Sequence, residues 1–382
     1  MEARPSPRSP RLLLVAAALA LTAGAGCVPD VAWLPDSSGI VYTTTDWPAA
    51  DRDAPKRPNG RLVHYDLAKK TRRTIAETGT DTIQPALSPD GERVAVAGMT
   101  WESGKIPTLR VIVYDLAGKE VHRSKALLWG EEPQGDVGFE KYPQLFWAPQ
   151  GNRVLVHANK HSGIYTPDTD RAVMLGAAVP LIYGTTPIRP DGKGFLIARD
   201  DRTVALVDWE GKPTAVELPA GVGGLHWSLL PTPAVNCWAR WEGDTAVATW
   251  KGGRLRIDTG RRVATLGAPD RTEWAFDDKE VQQVHTFPGD KTKLVVVYLL
   301  SPRDYRDAGL PTMRVAFMGP EADQRKTLIK ETFHCGVYPS PDKKLVALRH
   351  VARGPAPGAR PRDVIWVVDA RGEVVARIEA GE

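Results

Sequence analysis

Ala86-Leu87-Ser88-Pro89-Asp90-Gly91-Glu92-Arg93-Val94-Ala95-Val96-Ala97 reads as one β-hairpin: an apolar strand end, a four-residue turn and a second apolar strand. Proline presets φ early in a type I turn, aspartate accepts hydrogen bonds from the amides just beyond it, and glycine takes the left-handed conformation that follows. Asp90 is therefore expected to be a turn residue rather than a catalytic acid. The same phrase returns as AWLPDSSGIVY from Ala32, FWAPQGNRVLVHA from Phe146, PIRPDGKGFLIA from Pro187 and YPSPDKKLVAL from Tyr338.

Two weaker copies, at Gly243-Asp244 and Gly289-Asp290, are placed by spacing. Each copy is followed by a second hairpin of the type x-V-x-D-x-x-G, clearest in RLVHYDLAKKTRRTI from Arg61, LRVIVYDLAGKEVHR from Leu109, VALVDWEGKPTAVEL from Val204, RLRIDTGRRVATL from Arg254 and VIWVVDARGEVVARI from Val364. The third unit (GIYTPDTDRAVML from Gly163) and the sixth (TMRVAFMGPEADQRKTLI from Thr312) carry worn versions. A repeat of about fifty residues that supplies four strands is the content of one propeller blade. The expected fold is all-β: a single β-propeller of seven four-stranded blades over residues 28–382.

Three positions before the turn aspartate stand Trp33, Leu87, Trp147, Ile188, Trp241 and Phe287, with Pro339 the exception and Gln150 replacing the aspartate of unit three. Bulky apolar groups at one repeated place predict a repeated pocket between neighbouring blades. Runs such as LVVVYLL from Leu294 and VIWVV from Val364 are apolar on both faces, as sheets stacked between two others require. Each unit holds a whole blade, so the ring is expected to close by packing the first unit on the last without exchanging a strand.

These units resemble the WD-like repeats of TolB-type propellers, in which a tryptophan or similar residue precedes Ser-Pro-Asp-Gly and an aliphatic strand. The resemblance specifies a blade and not an activity. TolB-type proteins carry a separate α/β domain before a six-bladed propeller and work with a peptidoglycan-associated partner. Here the repeat starts within a few residues of Cys27, so no such domain is expected, nor is the hydrolase domain of prolyl-oligopeptidase-like enzymes.

The N-terminus reads as a secretory signal over residues 1–27. Arg4, Arg8 and Arg11 form a basic start, Leu12 to Leu21 an apolar stretch, and Thr22 to Gly26 a run of small residues. The apolar stretch is shorter than the roughly 20 residues of a membrane span. Gly24-Ala25-Gly26-Cys27 resembles the lipobox of bacterial lipoproteins, which implies cleavage before Cys27 and lipidation of that cysteine. Val28 in the following position implies sorting to the outer membrane, on its periplasmic side. Cleavage after Ala23-Gly24-Ala25 is the alternative and leaves Cys27 without lipid. Loss of residues 1–26 removes three arginines and one glutamate, taking the formal charge from +4 to +2. So small a balance gives no argument for nucleic acid.

Cys237 and Cys335 hold the same place in units five and seven. Equivalent positions in non-adjacent blades lie beyond the approximately 7 Å Cα separation a disulfide tolerates, so two buried thiols are expected.

Connections between first and second strands and between third and fourth are mostly tight, whereas those between second and third strands and between blades are long. The two sets leave opposite faces of a propeller disc. The long set holds Trp47, Trp101, Trp129, His226, Trp227, Trp274, Arg303 and Tyr305, and aromatic residues with arginine are the usual anchors of recognition surfaces. These eight are the candidate partner-binding residues.

Catalytic signatures are thin: there is no G-x-S-x-G, H-E-x-x-H, C-x-x-C or Gly-rich phosphate loop. His157 and His161 fall at a strand end and in a loop, a poor zinc pair. His226, His285 and His334 are candidates to line the central channel. Asp277-Asp278 with Glu280, and Glu131-Glu132 with Asp136, lack the spacing of a calcium loop. No catalytic residue, metal or cofactor is assigned. The expectation is a monomeric, non-enzymatic binding or scaffolding module that engages an envelope protein or peptide. The alternative is a propeller hydrolase or lyase acting on a saccharide or peptide at the channel mouth.

Overall fold

The computed structural model describes residues 31–46, 59–78, 81–100, 108–125, 143–158, 161–180, 186–199, 203–219, 238–250, 253–267, 281–287, 290–299, 313–319, 325–332, 335–352 and 362–380. The chain forms seven antiparallel four-stranded blades. Blade one is β1 (Val31–Trp33), β2 (Gly39–Asp46), β3 (Asn59–Asp66) and β4 (Thr71–Glu77). Blade two is β5 (Asp81–Leu87), β6 (Arg93–Thr100), β7 (Thr108–Asp115) and β8 (Glu120–Arg123). Blade three is β9 (Gln144–Trp147), β10 (Val154–Ala158), β11 (His161–Thr166) and β12 (Arg171–Pro180). Blade four adds β13 (Gly194–Arg199), β14 (Val204–Asp208) and β15 (Pro213–Val216). Blade five is β16 (Trp238–Glu242), β17 (Thr245–Trp250), β18 (Gly253–Asp258) and β19 (Val263–Gly267). Blade six is β20 (Val281–Phe287), β21 (Asp290–Leu299), β22 (Met313–Met318) and β23 (Arg325–Thr332). Blade seven is β24 (Cys335–Pro339), β25 (Leu345–Ala352), β26 (Arg362–Asp369) and β27 (Val374–Glu379). The units placed only by spacing, five and six, are thus complete.

The expected contact between blades is present as a series of apolar clusters. Trp147 packs with Ala86, Ala95 and Val113 of blade two, and Ile188 with Leu155 and Ile164 of blade three. Leu87 lies against the cluster shared by blades one and two, and Trp241 against that of blades four and five. Blades six and seven share a further cluster, and β16 lies beside β20 to link blades five and six. Trp33, Ile40 and Tyr42 pack with Ile365, Val367 and Ile378, which joins blade one to blade seven and completes the ring.

The turn motif fits itself from blade to blade. Gly91 and Gly192 both have φ of 73°. A Cβ on Gly91 would lie 2.9 Å from Cδ of Pro35, and one on Gly192 3.1 Å from Cβ of Pro149, each the proline of the preceding blade's turn. Glycine therefore answers two demands, a left-handed backbone and room for the neighbouring proline. Blades one and seven place Ser37 and Lys343 there instead, at φ of 61° and 63°. Lys343 is exposed. A left-handed non-glycine residue is disfavoured by about 1–2 kcal/mol, partly offset by the entropy a glycine loses on folding. Lys343→Gly is accordingly expected to stabilise the protein by about 0.5–1 kcal/mol in denaturant unfolding, and a destabilised variant would contradict the turn geometry.

The first and last blades share no strand. They meet through side chains: Trp33 Nε1 donates to the Tyr338 carbonyl at 2.9 Å, and Asp342 N donates to Ser37 Oγ at 3.1 Å. Arg349 Nη2 donates to the Thr43 carbonyl at 2.7 Å, and Arg72 Nη1 to that of Glu379 at 3.3 Å.

Three expectations need correction. The inner strand of blade four is not the segment just before Pro190. β12 pairs with β11 up to Ala177, and Ala178–Pro180 then pair with β13 while Ile188 adds only a single bridge. Pro187 has no amide hydrogen to offer, although its carbonyl accepts from Leu196 N at 3.1 Å. Gly176, at φ of 74°, lies just before the change of partner. His161 begins β11 rather than lying in a loop, because β10 and β11 are joined by only residues 159–160. The long connections are also fewer than a uniform rule implies: β13 to β14, β17 to β18 and β23 to β24 are joined by 200–203, 251–252 and 333–334.

Cys335 is free and buried, and desolvation pushes its thiol up to about 12, so it is an inert apolar group. Cys237 and the proposed leader lie outside the described residues.

Candidate binding face

Strand direction divides the disc into two rims. One rim collects the first-to-second and third-to-fourth strand turns, and there the carboxylates are held by their own loops. Asp90 Oδ1 accepts from Ser88 Oγ at 2.5 Å and Glu92 N at 2.9 Å. Asp342 Oδ1 accepts from Ser340 Oγ at 2.6 Å and Lys344 N at 3.0 Å. Asp36 accepts from the hydroxyl and amide of Ser38 at 2.7 and 3.0 Å. These hydrogen bonds, with the serine hydroxyl the largest contribution in each case, hold all three carboxyls below the usual range. The second turn repeats the arrangement: Asp208 Oδ1 accepts from Glu210 N and Lys212 N at 3.1 and 2.8 Å, and Asp369 Oδ1 from Arg371 N and Glu373 N at 2.8 and 2.9 Å. Acids so engaged shape their turns.

Two other groupings lie on this rim. Tyr165, fully buried, donates its hydroxyl to Asp170 Oδ1 at 2.7 Å and meets His122 Nε2, tying the edge of blade two to blade three. Burial and the nearby carboxylate push the phenol up, so it stays neutral. A cleft of about 420 Å³ between the turns of blades three and four is lined by Asn152, Arg153, Asp168, Lys193 and Glu210. Its groups largely satisfy one another, Arg153 pairing with Glu210 at 2.7 Å and Asn152 Nδ2 donating to Asp168 at 2.5 Å.

The opposite rim carries the long connections. Strand ends bracket residues 47–58, 101–107, 124–143, 217–237, 268–280, 300–312 and 353–361 there. All eight candidate side chains belong to these segments: Trp47, Trp101, Trp129, His226, Trp227, Trp274, Arg303 and Tyr305. Each lies outside the described residues, as do Cys27, His334 and both acidic clusters, so the structure fixes the strands that frame them and not their contacts. His157, on β10, is buried with Nδ1 3.0 Å from Ser162 Oγ. Among the described residues no group of three or more His, Cys, Asp or Glu is placed to hold a metal ion.

Sequence reasoning missed the charged root of this rim. Arg349 is fully buried on β25, with Nε 3.0 and 3.1 Å from the two Asp363 oxygens and its guanidinium 5.8 Å from the Tyr42 ring centroid. The signal was available: an arginine directly after the apolar run Leu345-Val346-Ala347-Leu348, in the same strand, needs a partner if that strand is covered on both faces. Its neighbour His350 is 3% exposed and edge-on to Trp366, with ring centroids 5.4 Å apart.

No protein-family model matches the chain, and no curated protein matches it. Among solved structures it is similar to the β-propeller domain of the trilobed protease from Pyrococcus furiosus, at 12% identity over 90% of this chain and 95% of that one, with a TM-score of 0.46. The C-terminal WD40 domain of Sif2 is 12% identical over 90% of this chain and 82% of that one, with a TM-score of 0.44. TolB from Acinetobacter baumannii is 13% identical over 91% of this chain, which spans 61% of that structure, with a TM-score of 0.39. The likeness is one of fold.

Proposed function

We propose that this chain is an exported, lipid-anchored propeller built of TolB-type repeats that binds a protein or peptide of the bacterial envelope without catalysing a reaction. The observation that carries this reading is the unequal division of the two rims. One holds tight turns whose carboxylates are engaged, and the other holds every long connection together with the eight aromatic, histidine and arginine candidates. Recognition surfaces favour large aromatic anchors with arginine, and loops on a rigid scaffold are where they are carried. The anchor is Cys27, which places the disc on the periplasmic face of the outer membrane with its partner reached through the long-segment rim and the channel mouth.

Crosslinking and pull-down from the native envelope test the binding role. The Trp101→Ala and Trp227→Ala proteins should each recover less partner than wild type, and unchanged recovery with both would overturn the assignment of this rim. Mass spectrometry of the membrane fraction tests the anchor separately: a diacylglyceryl group on Cys27 is expected, and a soluble product beginning at Gly26 would exclude it.

A further inference from the structure

β25 carries two adjacent polar side chains that face opposite neighbours. Arg349 reaches blade one, where it holds the Thr43 carbonyl at 2.7 Å. His350 alternates to the other face with Leu348 and Trp366, whose cluster joins blade seven to blade six. Both ring nitrogens of His350 are buried without a hydrogen-bond partner among the described residues, as is Trp366 Nε1. One strand therefore holds the unstitched junction of the ring on one side and an unsatisfied imidazole on the other.

We propose that the seventh blade is an acid-sensitive clasp: a proton taken up by His350 loosens β25 from blade six, withdraws Arg349 from blade one, and opens the ring between its first and last blades. A buried imidazolium without an acceptor is far less favourable than one in water, so protonation selects the opened form. The charged groups acting on His350 among the described residues are Asp363 on β26, which favours the proton, and Arg377 on β27, which opposes it. From β24, Cys335 is paired in register with His350 and its buried thiol is neutral. From β23, Thr332 meets β25 through an uncharged hydroxyl, donating to the Val351 carbonyl at 2.8 Å.

Burial is the largest influence and lowers the His350 pKa from 6.5 to about 4. For a base whose closed-state value is depressed, closure is fully favoured above 6.5 and lost as the pH falls toward 4. At pH 5 the linkage amounts to about a thirtyfold gain in the opened population relative to pH 8.

Hydrogen exchange on the intact protein at pH 8 and pH 5, corrected for intrinsic rates, reads this directly. Protection in β24–β27 and β1–β2 should fall about thirtyfold at pH 5 while that of β10 and β13 is unchanged. His350→Phe should abolish the difference, and Arg349→Met should loosen the same strands at both pH values. An equal pH response in His350→Phe, or equal loss in all blades, would overturn the proposal. An NMR titration of wild type guards against a misfolded variant, since a His350 ring that titrates near 6.5 with all blades protected would also overturn it.

Discussion

Asp363→Asn is expected to lower the unfolding free energy by about 3–5 kcal/mol, the usual consequence of removing one partner from a buried ion pair. Arg349 is completely buried, whereas the Asp363 side chain retains 27% of its exposure. Removing the carboxylate charge takes the ion pair away from a completely buried guanidinium, which keeps its hydrogen bond to the neutral Thr43 carbonyl. Arg349→Met leaves the partly exposed carboxylate behind and should be milder. The double variant Arg349→Met/Asp363→Asn should recover most of the loss, because neither charge then remains uncompensated. A double-mutant cycle in denaturant decides the matter, and additive losses would mean that the two side chains do not act as a pair.

Phe195→Ala is expected to cost about 3–5 kcal/mol by leaving a cavity between blades three and four. Phe195 is fully buried, its ring centroid 5.1 Å from that of Trp209 and tilted by 56°. It packs in one cluster with Leu155 and Ile164 of blade three and Ile197 and Val207 of blade four. Blades touch mainly their neighbours, so protection should fall first in blades three and four and leave the junction of blades one and seven intact. A loss under about 1 kcal/mol in urea unfolding would contradict this packing.

These two sites also mark what could be read from the residues. The turn phrase gave the blades because its chemistry is local: proline, aspartate and glycine each answer one backbone demand, and the repeated tryptophan or aliphatic residue answers one pocket. Ser37 and Lys343 break the phrase at the two blades that meet where the ring closes, and Ser37 fills the place of glycine with a hydroxyl that accepts from Asp342 N. Arg349 and His350 occur once, so no repetition reveals them, and their roles depend on which blade faces each side of β25. The shift of β12 from β11 to β13 was hidden for a related reason, since strand composition does not specify a partner. The binding residues could be chosen by the lengths of the connections that carry them, because those lengths follow from strand spacing, but not by their contacts.

The central claim is that recognition belongs to the long-segment rim. A photoactivatable side chain placed one at a time at Trp47, Trp101, Trp227, Trp274 and Tyr305, and on the turn rim at Lys69, Lys193 and Lys343, tests it in intact cells. Crosslinks to one envelope partner from several positions of the first set and none of the second are the result this account predicts. Crosslinks to that partner from the turn rim alone would contradict it.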